Sequence, residues 1–335
     1  MILFSHGSLL CGAGGALEGH AERLRREHGF PLVEVGYLNY SEPLFAEAVE
    51  RLASAGATQI VVVPFFLASG YFVTHSLPKC VEPARQAHPD IEFLIAPPLG
   101  ADSRIADAVL ASASAAKPSE HWSDGLLAAG AACRSNAECP AYGRYACMVD
   151  PPRPSATPPA SGGGRSAAGA ARSGNEPLWL APPSLNEVGR EGGRGVRRAG
   201  GVARSAKAGL LVMVHGSPKA EANGEMYQVV EMVKVRGAYP IVEVGFMECN
   251  EPSIPKAVES CIAQGAKRIV AVPYFLHTGA HVAEDLPAIL EESQAQNPKV
   301  EFLLGAHIGI SEKLTGLLAE RALEAQRRKT HAGKA

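Results

Sequence analysis

A chain of 335 residues is long enough for about two ordinary domains, and 46% hydrophobic and 20% charged residues with a formal net charge of −2 are the balance of a globular protein. Near-neutrality gives no electrostatic reason to expect nucleic acid as a partner, and no apolar run approaches the length needed to cross a bilayer. The opening "MILFSHGSLL" has no signal-peptide features, and seven scattered cysteines argue against a disulfide framework, so the cytoplasm is the expected compartment.

In chain order, a short apolar strand ends in "SHGS" at 5–8, and "PLVEVGYLNYSEP" at 31–43 carries a second strand. A helix follows in which Leu44, Phe45, Ala48, Val49 and Leu52 share one face. Then come the strand run "GATQIVVVPFFL" at 56–67, "LP" at 77 and "EFL" at 92. Every one of these features returns: "VHGS" at 214–217, "PIVEVGFMECNEP" at 240–252, "GAKRIVAVPYFL" at 265–276, "LP" at 286 and "EFL" at 301. His6 and His215, Pro31 and Pro240, Gly56 and Gly265, and Glu92 and Glu301 are each 209 positions apart, so the chain is an ungapped duplication. Between the copies, residues 117–207 are rich in Pro, Gly, Ala and Arg without apolar periodicity and are expected to be a largely disordered linker. Its cysteines, Cys133, Cys139 and Cys147, have the spacing C-x5-C-x7-C, which fits no recognised zinc or cluster pattern.

The second copy, 208–327, reads in turn as strand "AGLLVMV", helix "NGEMYQVVEMVKVRG", strand "IVEVGFM", helix "PSIPKAVESCIAQG", strand "RIVAVPYFL", helix "EDLPAILEESQAQ", strand "VEFLLGA" and helix "SEKLTGLLAERALEAQ", with 328–335 as a tail. Met226 and Met232 fall among its core positions. The first copy is assigned to 1–116. The expected fold class is α/β: two tandem flavodoxin-like, doubly wound parallel-sheet domains, each with strand order 2-1-3-4.

Such sheets bind ligands outside the carboxyl ends of the first and third strands, where the order reverses. His215 directly follows the first strand of the second copy, and His281 lies in the loop after the third, so 66 residues of separation should close to one crevice. Gly216 and Ser217, and Gly279 before His281, should let the backbone turn tightly there, and Glu251 should reach the same rim. Two imidazoles and a carboxylate suit borderline divalent metals, and neutral imidazole also accepts protons near neutral pH. His277 stays open between a supporting role and a plain loop residue. No P-loop or dinucleotide fingerprint follows a strand; "CGAGG" at 11–15 lies too far beyond it. Neither Ser8 nor Ser217 lies in a nucleophile elbow, and neither Cys80 nor Cys249 is paired with a catalytic base.

"HGS", "VEVGFMECNEPSIPKAV", "VPYFLHTGAHVAEDLP" and the twofold repeat together resemble the sirohydrochlorin chelatases of the CbiX type, in the class II, ATP-independent chelatase superfamily. The resemblance covers roughly residues 2–115 and 208–325. It implies insertion of Co2+ or Fe2+ into sirohydrochlorin, towards cobalamin or sirohaem, with no organic cofactor and with nickel open as a further metal. By position, His215 would be proton acceptor and metal ligand and His281 the second ligand, both catalytic. Glu251, Leu276, His277, Thr278, Gly279 and Ala280 would line the tetrapyrrole site. His6 and Glu42 are the degenerate first-repeat counterparts, because Phe72, Ser76 and Ala68 stand where His281, Asp285 and His277 do. One working site on the second copy is expected, in a monomer with pseudo-twofold repeats. The rivals are a non-catalytic tetrapyrrole or metal carrier with the same pocket, and a flavodoxin-like module indifferent to both histidines.

Overall fold

The computed structural model describes residues 1–8, 14–122, 208–218 and 220–332. In the first repeat β1 (Ile2–Ser5), α1 (Gly15–Glu27), β2 (Glu34–Tyr37), α2 (Phe45–Ser54), β3 (Gln59–Pro64), α3 (Leu77–Ala87), β4 (Glu92–Ile95) and α4 (Ser103–Ser114) follow one another. The second repeats them as β5 (Ala208–Val214), α5 (Ala220–Val235), β6 (Ile241–Phe246), α6 (Ile254–Ala263), β7 (Arg268–Pro273), α7 (Leu286–Gln296), β8 (Glu301–Leu304) and α8 (Lys313–Ala332). Both sheets are fully parallel, in the orders β2-β1-β3-β4 and β6-β5-β7-β8, as the alternation of strands and helices predicts.

Strand alternation divides the apolar residues into two faces. On the outer face of the first sheet Ile2, Phe4 and Val62 pack on Ala48, Leu52, Leu77 and Val81. On that of the second, Leu211, Met213 and Ile269 pack on Val258, Leu286 and Leu290. The two inner faces do not close separately. Leu3, Val63, Val212 and Val272 belong to one continuous core with Leu24, Val109, Val229 and Leu318, and both repeats fall in one compact unit.

The last helices are exchanged across this core: α8 packs on β3 and β4 of the first sheet, and α4 on β7 of the second. Polar contacts hold the exchange at its edges. Arg236 donates to Asp107 at 2.7 Å and to the Ser103 carbonyl at 2.8 Å, and Arg321 donates to the Leu99 carbonyl at 2.7 Å.

Several expected boundaries shift. Leu44 does not share the buried face of α2; it is the residue before the helix and is exposed, its amide donating to Glu47. Residues 117–122, assigned to the linker, cross to the second repeat: Lys117 pairs with Leu304 beside β8, and Trp122 packs on its outer core. The final helix runs through Ala332, taking in most of the supposed tail. The rest of the linker, with Cys133, Cys139 and Cys147, lies outside the described residues. Among the described residues no helix is long and apolar enough to cross a membrane.

The shared core is not wholly apolar. His20 and His307 are buried within it, and burial takes each imidazole from the ordinary pKa of 6.5 to about 4, with smaller contributions from Arg23 and His277 beside His20 and from His277 and His20 beside His307. Between those values the unfolded chain binds protons that the folded chain does not. Stability must therefore fall as pH drops from about 6.5 to about 4, by on the order of 3 kcal/mol per imidazole. The midpoint of urea unfolding should drop over that window, and His307→Gln should flatten the drop. A midpoint independent of pH there would contradict buried neutral imidazoles.

Candidate functional site

Both switch points lie at the carboxyl ends of their sheets, between β1 and β3 and between β5 and β7. His215 is the first residue beyond β5 and is exposed. The backbone turns immediately after it: Gly216 has φ +98°, and a Cβ there would stand 2.1 Å from the Glu248 carbonyl oxygen, so only glycine fits. Gly7 repeats this after His6, with φ +89° and a Cβ position 1.8 Å from the Asn39 carbonyl oxygen. Gly279 differs from expectation, since its φ is outside the left-handed region and a Cβ would meet open space. The tight turn is needed on the His215 side alone.

His281 is not in an open loop. It begins a π-helical turn, His281–Asp285, that leads into α7. In this wider turn Asp285, four residues on, lies back beneath it, and the His281 Nδ1 and Asp285 Oδ2 are 2.7 Å apart. His215 Nδ1 lies 3.2 Å from the Gly216 carbonyl, to which it donates. With each Nδ1 engaged, Nε2 is the ring atom left that could coordinate an ion or accept a proton.

The two ring centroids are 5.1 Å apart with planes inclined at 67°. An imidazole bound to a metal through nitrogen at about 2.0–2.1 Å has its centroid about 3 Å from the ion, so two rings at this separation could share one ion. Among the described residues no three His, Cys, Asp or Glu side chains converge as a metal-holding group, so the described residues offer at most these two imidazoles to an ion here.

The remaining predicted residues divide. Glu251 is fully exposed, and its carboxylate accepts from Lys256 Nζ at 3.1 Å and from the Ser253 amide at 3.1 Å, which hold it below the usual carboxylate range. It lies just before α6 and pairs with neither histidine; the carboxylate paired with His281 is that of Asp285. The stretch Leu276 to Ala280 does not line one surface. Leu276 is buried in the shared core. The His277 ring points across the repeat boundary, with Nε2 2.7 Å from Ser5 Oγ and its edge on Phe65. Thr278 Oγ1 lies 3.0 Å from His307 Nε2. Gly279 and Ala280 alone of the five stay at the open rim without such a tie. Alternation along a loop spanning two sheets sends neighbouring side chains to opposite sides, which the uniform reading of that stretch overlooked.

At the first switch point His6 donates from Nδ1 to the Gly7 carbonyl at 3.0 Å, but its ring lies 4.4 Å from Phe72 and 5.6 Å from Tyr40. Phe72 in turn stacks on Phe66 at 5.8 Å. Glu42 is adjacent to a cis Glu42–Pro43 bond, as Glu251 is to Glu251–Pro252. The first rim is an aromatic cluster where the second carries imidazoles. Two surface depressions of about 330 Å³, beside Glu291 and Val300, and about 500 Å³, beside Tyr227 and Val235, lie on the helical flanks and include none of the rim residues.

A duplicated four-stranded parallel unit with an imidazole pair at one switch point defines a chelatase-like α/β protein. SirB from Bacillus subtilis, solved with Fe3+, superposes with a TM-score of 0.61 over 97% of this chain and 94% of that one at 16% sequence identity, a likeness of fold. The chain belongs to the CbiX family, whose family model matches residues 1–116 and 209–325.

Among characterised relatives, the chloroplastic sirohydrochlorin ferrochelatase of Arabidopsis thaliana is 35% identical over 113 residues, 34% of this chain and 50% of that protein. The sirohydrochlorin cobaltochelatase of Methanocaldococcus jannaschii is 46% identical over 81 residues, 24% of this chain and 57% of that one. The matched stretches thus span about half the length of these relatives.

Proposed function

We propose that the protein inserts a divalent metal, Co2+ or Fe2+, into sirohydrochlorin, without ATP and with the metal as substrate. The observation that carries this reading is the His215–His281 pair, 5.1 Å between centroids on one open rim, with each Nδ1 tied back and each Nε2 available. Family membership and the names of the relatives supply the substrate class.

Insertion requires that the ion shed water and that two pyrrole N–H protons leave the macrocycle. A two-ligand site suits the first step, because it leaves most coordination positions to water and then to the four ring nitrogens, and it holds the ion weakly enough to release it. His215, oriented by the Gly216 carbonyl, serves as proton acceptor and ligand. His281 is the second ligand, and Asp285 fixes its tautomer and raises its basicity. Gly279 and Ala280 lie beside this pair and offer backbone rather than charge to a ring seated there.

ATP-independence is supported by the loop after β5, whose Ser217 amide already donates to Asn250 Oδ1 at 2.8 Å and is not left open to a phosphate. Both repeats supply one core within a single chain, which favours a monomeric working unit. Cobalamin and sirohaem synthesis both remain compatible destinations.

The test is to mix purified protein with sirohydrochlorin and Co2+ or Fe2+ under anaerobic conditions and follow the absorbance change of insertion against a protein-free control. Acceleration with one or both metals is expected. Tight binding of the tetrapyrrole without acceleration would overturn the enzyme in favour of a carrier.

A further inference from the structure

We infer that His277 is a positioning residue through which the first repeat sets the loop bearing His281; this rests on the reading of His215 and His281 as the metal pair. The chain from Tyr274 to His281 leaves the end of β7 and must hold His281 at a defined distance from His215. Three polar ties grip it from below. His277 Nε2 lies 2.7 Å from Ser5 Oγ at the end of β1. Thr278 Oγ1 lies 3.0 Å from His307 Nε2 in the loop after β8. The Phe275 carbonyl accepts from the Gly309 amide at 3.1 Å. Gly309 sits so close beneath the loop that a Cβ would stand 1.9 Å from the Leu276 carbonyl oxygen.

Gly309 is itself held by the first repeat. Its carbonyl accepts from His20 Nε2 at 2.7 Å, which makes the His20 Nδ1 an acceptor for the Thr315 hydroxyl at 2.8 Å. Ser5, His20, His307 and Thr315 are all buried. A buried polar group is costly unless it is bonded, and these bonds favour one arrangement of the backbone around them. Among the described residues, His307 Nδ1 alone of the network's ring nitrogens is buried without a hydrogen-bond partner.

The network exists on one side of the pseudo-twofold axis. Moved by 209 positions, Ser5 corresponds to Val214, His20 to Val229, His277 to Ala68, His307 to Pro98 and Thr315 to Ala106. Five polar residues are matched by five apolar ones, and Val214, Val229 and Ala106 pack in the shared core. The polar side is the side whose loop carries His281. General stabilisation of the repeat boundary would place polar ties on either side alike; fixing one loop accounts for the asymmetry.

The experiment compares His277→Ala, Ser5→Ala, the double variant and His277→Gln, whose side-chain amide can still meet Ser5 Oγ, in the full chain. Leu24→Ala, a cavity variant in the same core, controls for lost stability. The readouts are Co2+ affinity by spectroscopic titration and hydrogen exchange of the 276–281 amides. The expected result is about a tenfold loss of Co2+ affinity in each single variant, no further loss in the double, and recovery in His277→Gln. Exchange over 276–281 should accelerate in the alanine variants, while Leu24→Ala lowers the melting temperature without changing Co2+ affinity. Unchanged exchange and affinity in His277→Ala and Ser5→Ala, or an equal loss of affinity in Leu24→Ala, would overturn the proposal. Neither readout uses sirohydrochlorin, so a protein that binds Co2+ but inserts no metal would defeat the chelatase reading and leave this one to be judged on its own.

Discussion

Replacing His215 with alanine is expected to abolish metal insertion and to cost more Co2+ affinity than the roughly 10–100-fold that loss of an outer partner costs a metal site. His6→Ala should leave both within about threefold. The two histidines occupy equivalent positions after equivalent strands, each donating Nδ1 to the next carbonyl. What differs is the ring across the switch point. His215 faces His281, which is backed by Asp285, whereas His6 faces Phe72, and Ser76 stands at the position of Asp285. Removing one of two imidazoles leaves a monodentate site that water competes with easily. Removing His6 takes a ring from an aromatic cluster in which Phe72, not an imidazole, stands opposite it. Anaerobic insertion rates and Co2+ titrations of the two variants, side by side, make the comparison; equal losses would mean that the repeats share the chemistry.

The reverse change should build a site. Phe72→His with Ser76→Asp is expected to raise Co2+ stoichiometry from one to two per chain, and in a His215→Ala background to restore one equivalent. The backbone is already in place. Phe72–Ser76 forms the same π-helical turn as His281–Asp285. The residues before the two turns, Tyr71 and Ala280, have φ, ψ of −53°, −39° and −52°, −41°; those after them, Leu77 and Leu286, have −59°, −48° and −65°, −44°. Phe72 is 37% exposed, so its loss costs chiefly the contacts with Phe66, Tyr71 and His6. Equilibrium dialysis with Co2+ gives the count. A stoichiometry unchanged at one would show that backbone equivalence is insufficient and that the loop needs its ties from below, which Ala68 and Pro98 do not provide.

Much of this was legible in one dimension. A constant offset of 209 revealed the duplication, and alternating strand and helix patterns implied two parallel sheets in the order 2-1-3-4. That order alone brought His215 and His281 together, because strand ends on either side of a switch point are neighbours whatever the loops do. The same offset exposed Phe72 and Ser76 as the point of divergence between the copies.

The exchange of α4 and α8 was not legible. Apolar periodicity says which face of a helix is buried but not which sheet covers it, and two sheets related by duplication offer nearly the same surface. The direction of His277 followed from that exchange: once the inner faces merge, a side chain leaving β7 inward meets Ser5 of the other repeat rather than solvent. Glu251 was misplaced for a local reason, since Lys256 one helical turn on and the free amide of Ser253 claim its carboxylate. Residue identity and topology were enough to bring the two imidazoles to one rim; how the loop behind them is held depends on distances across the repeat boundary, and those arise only when the two copies pack against each other.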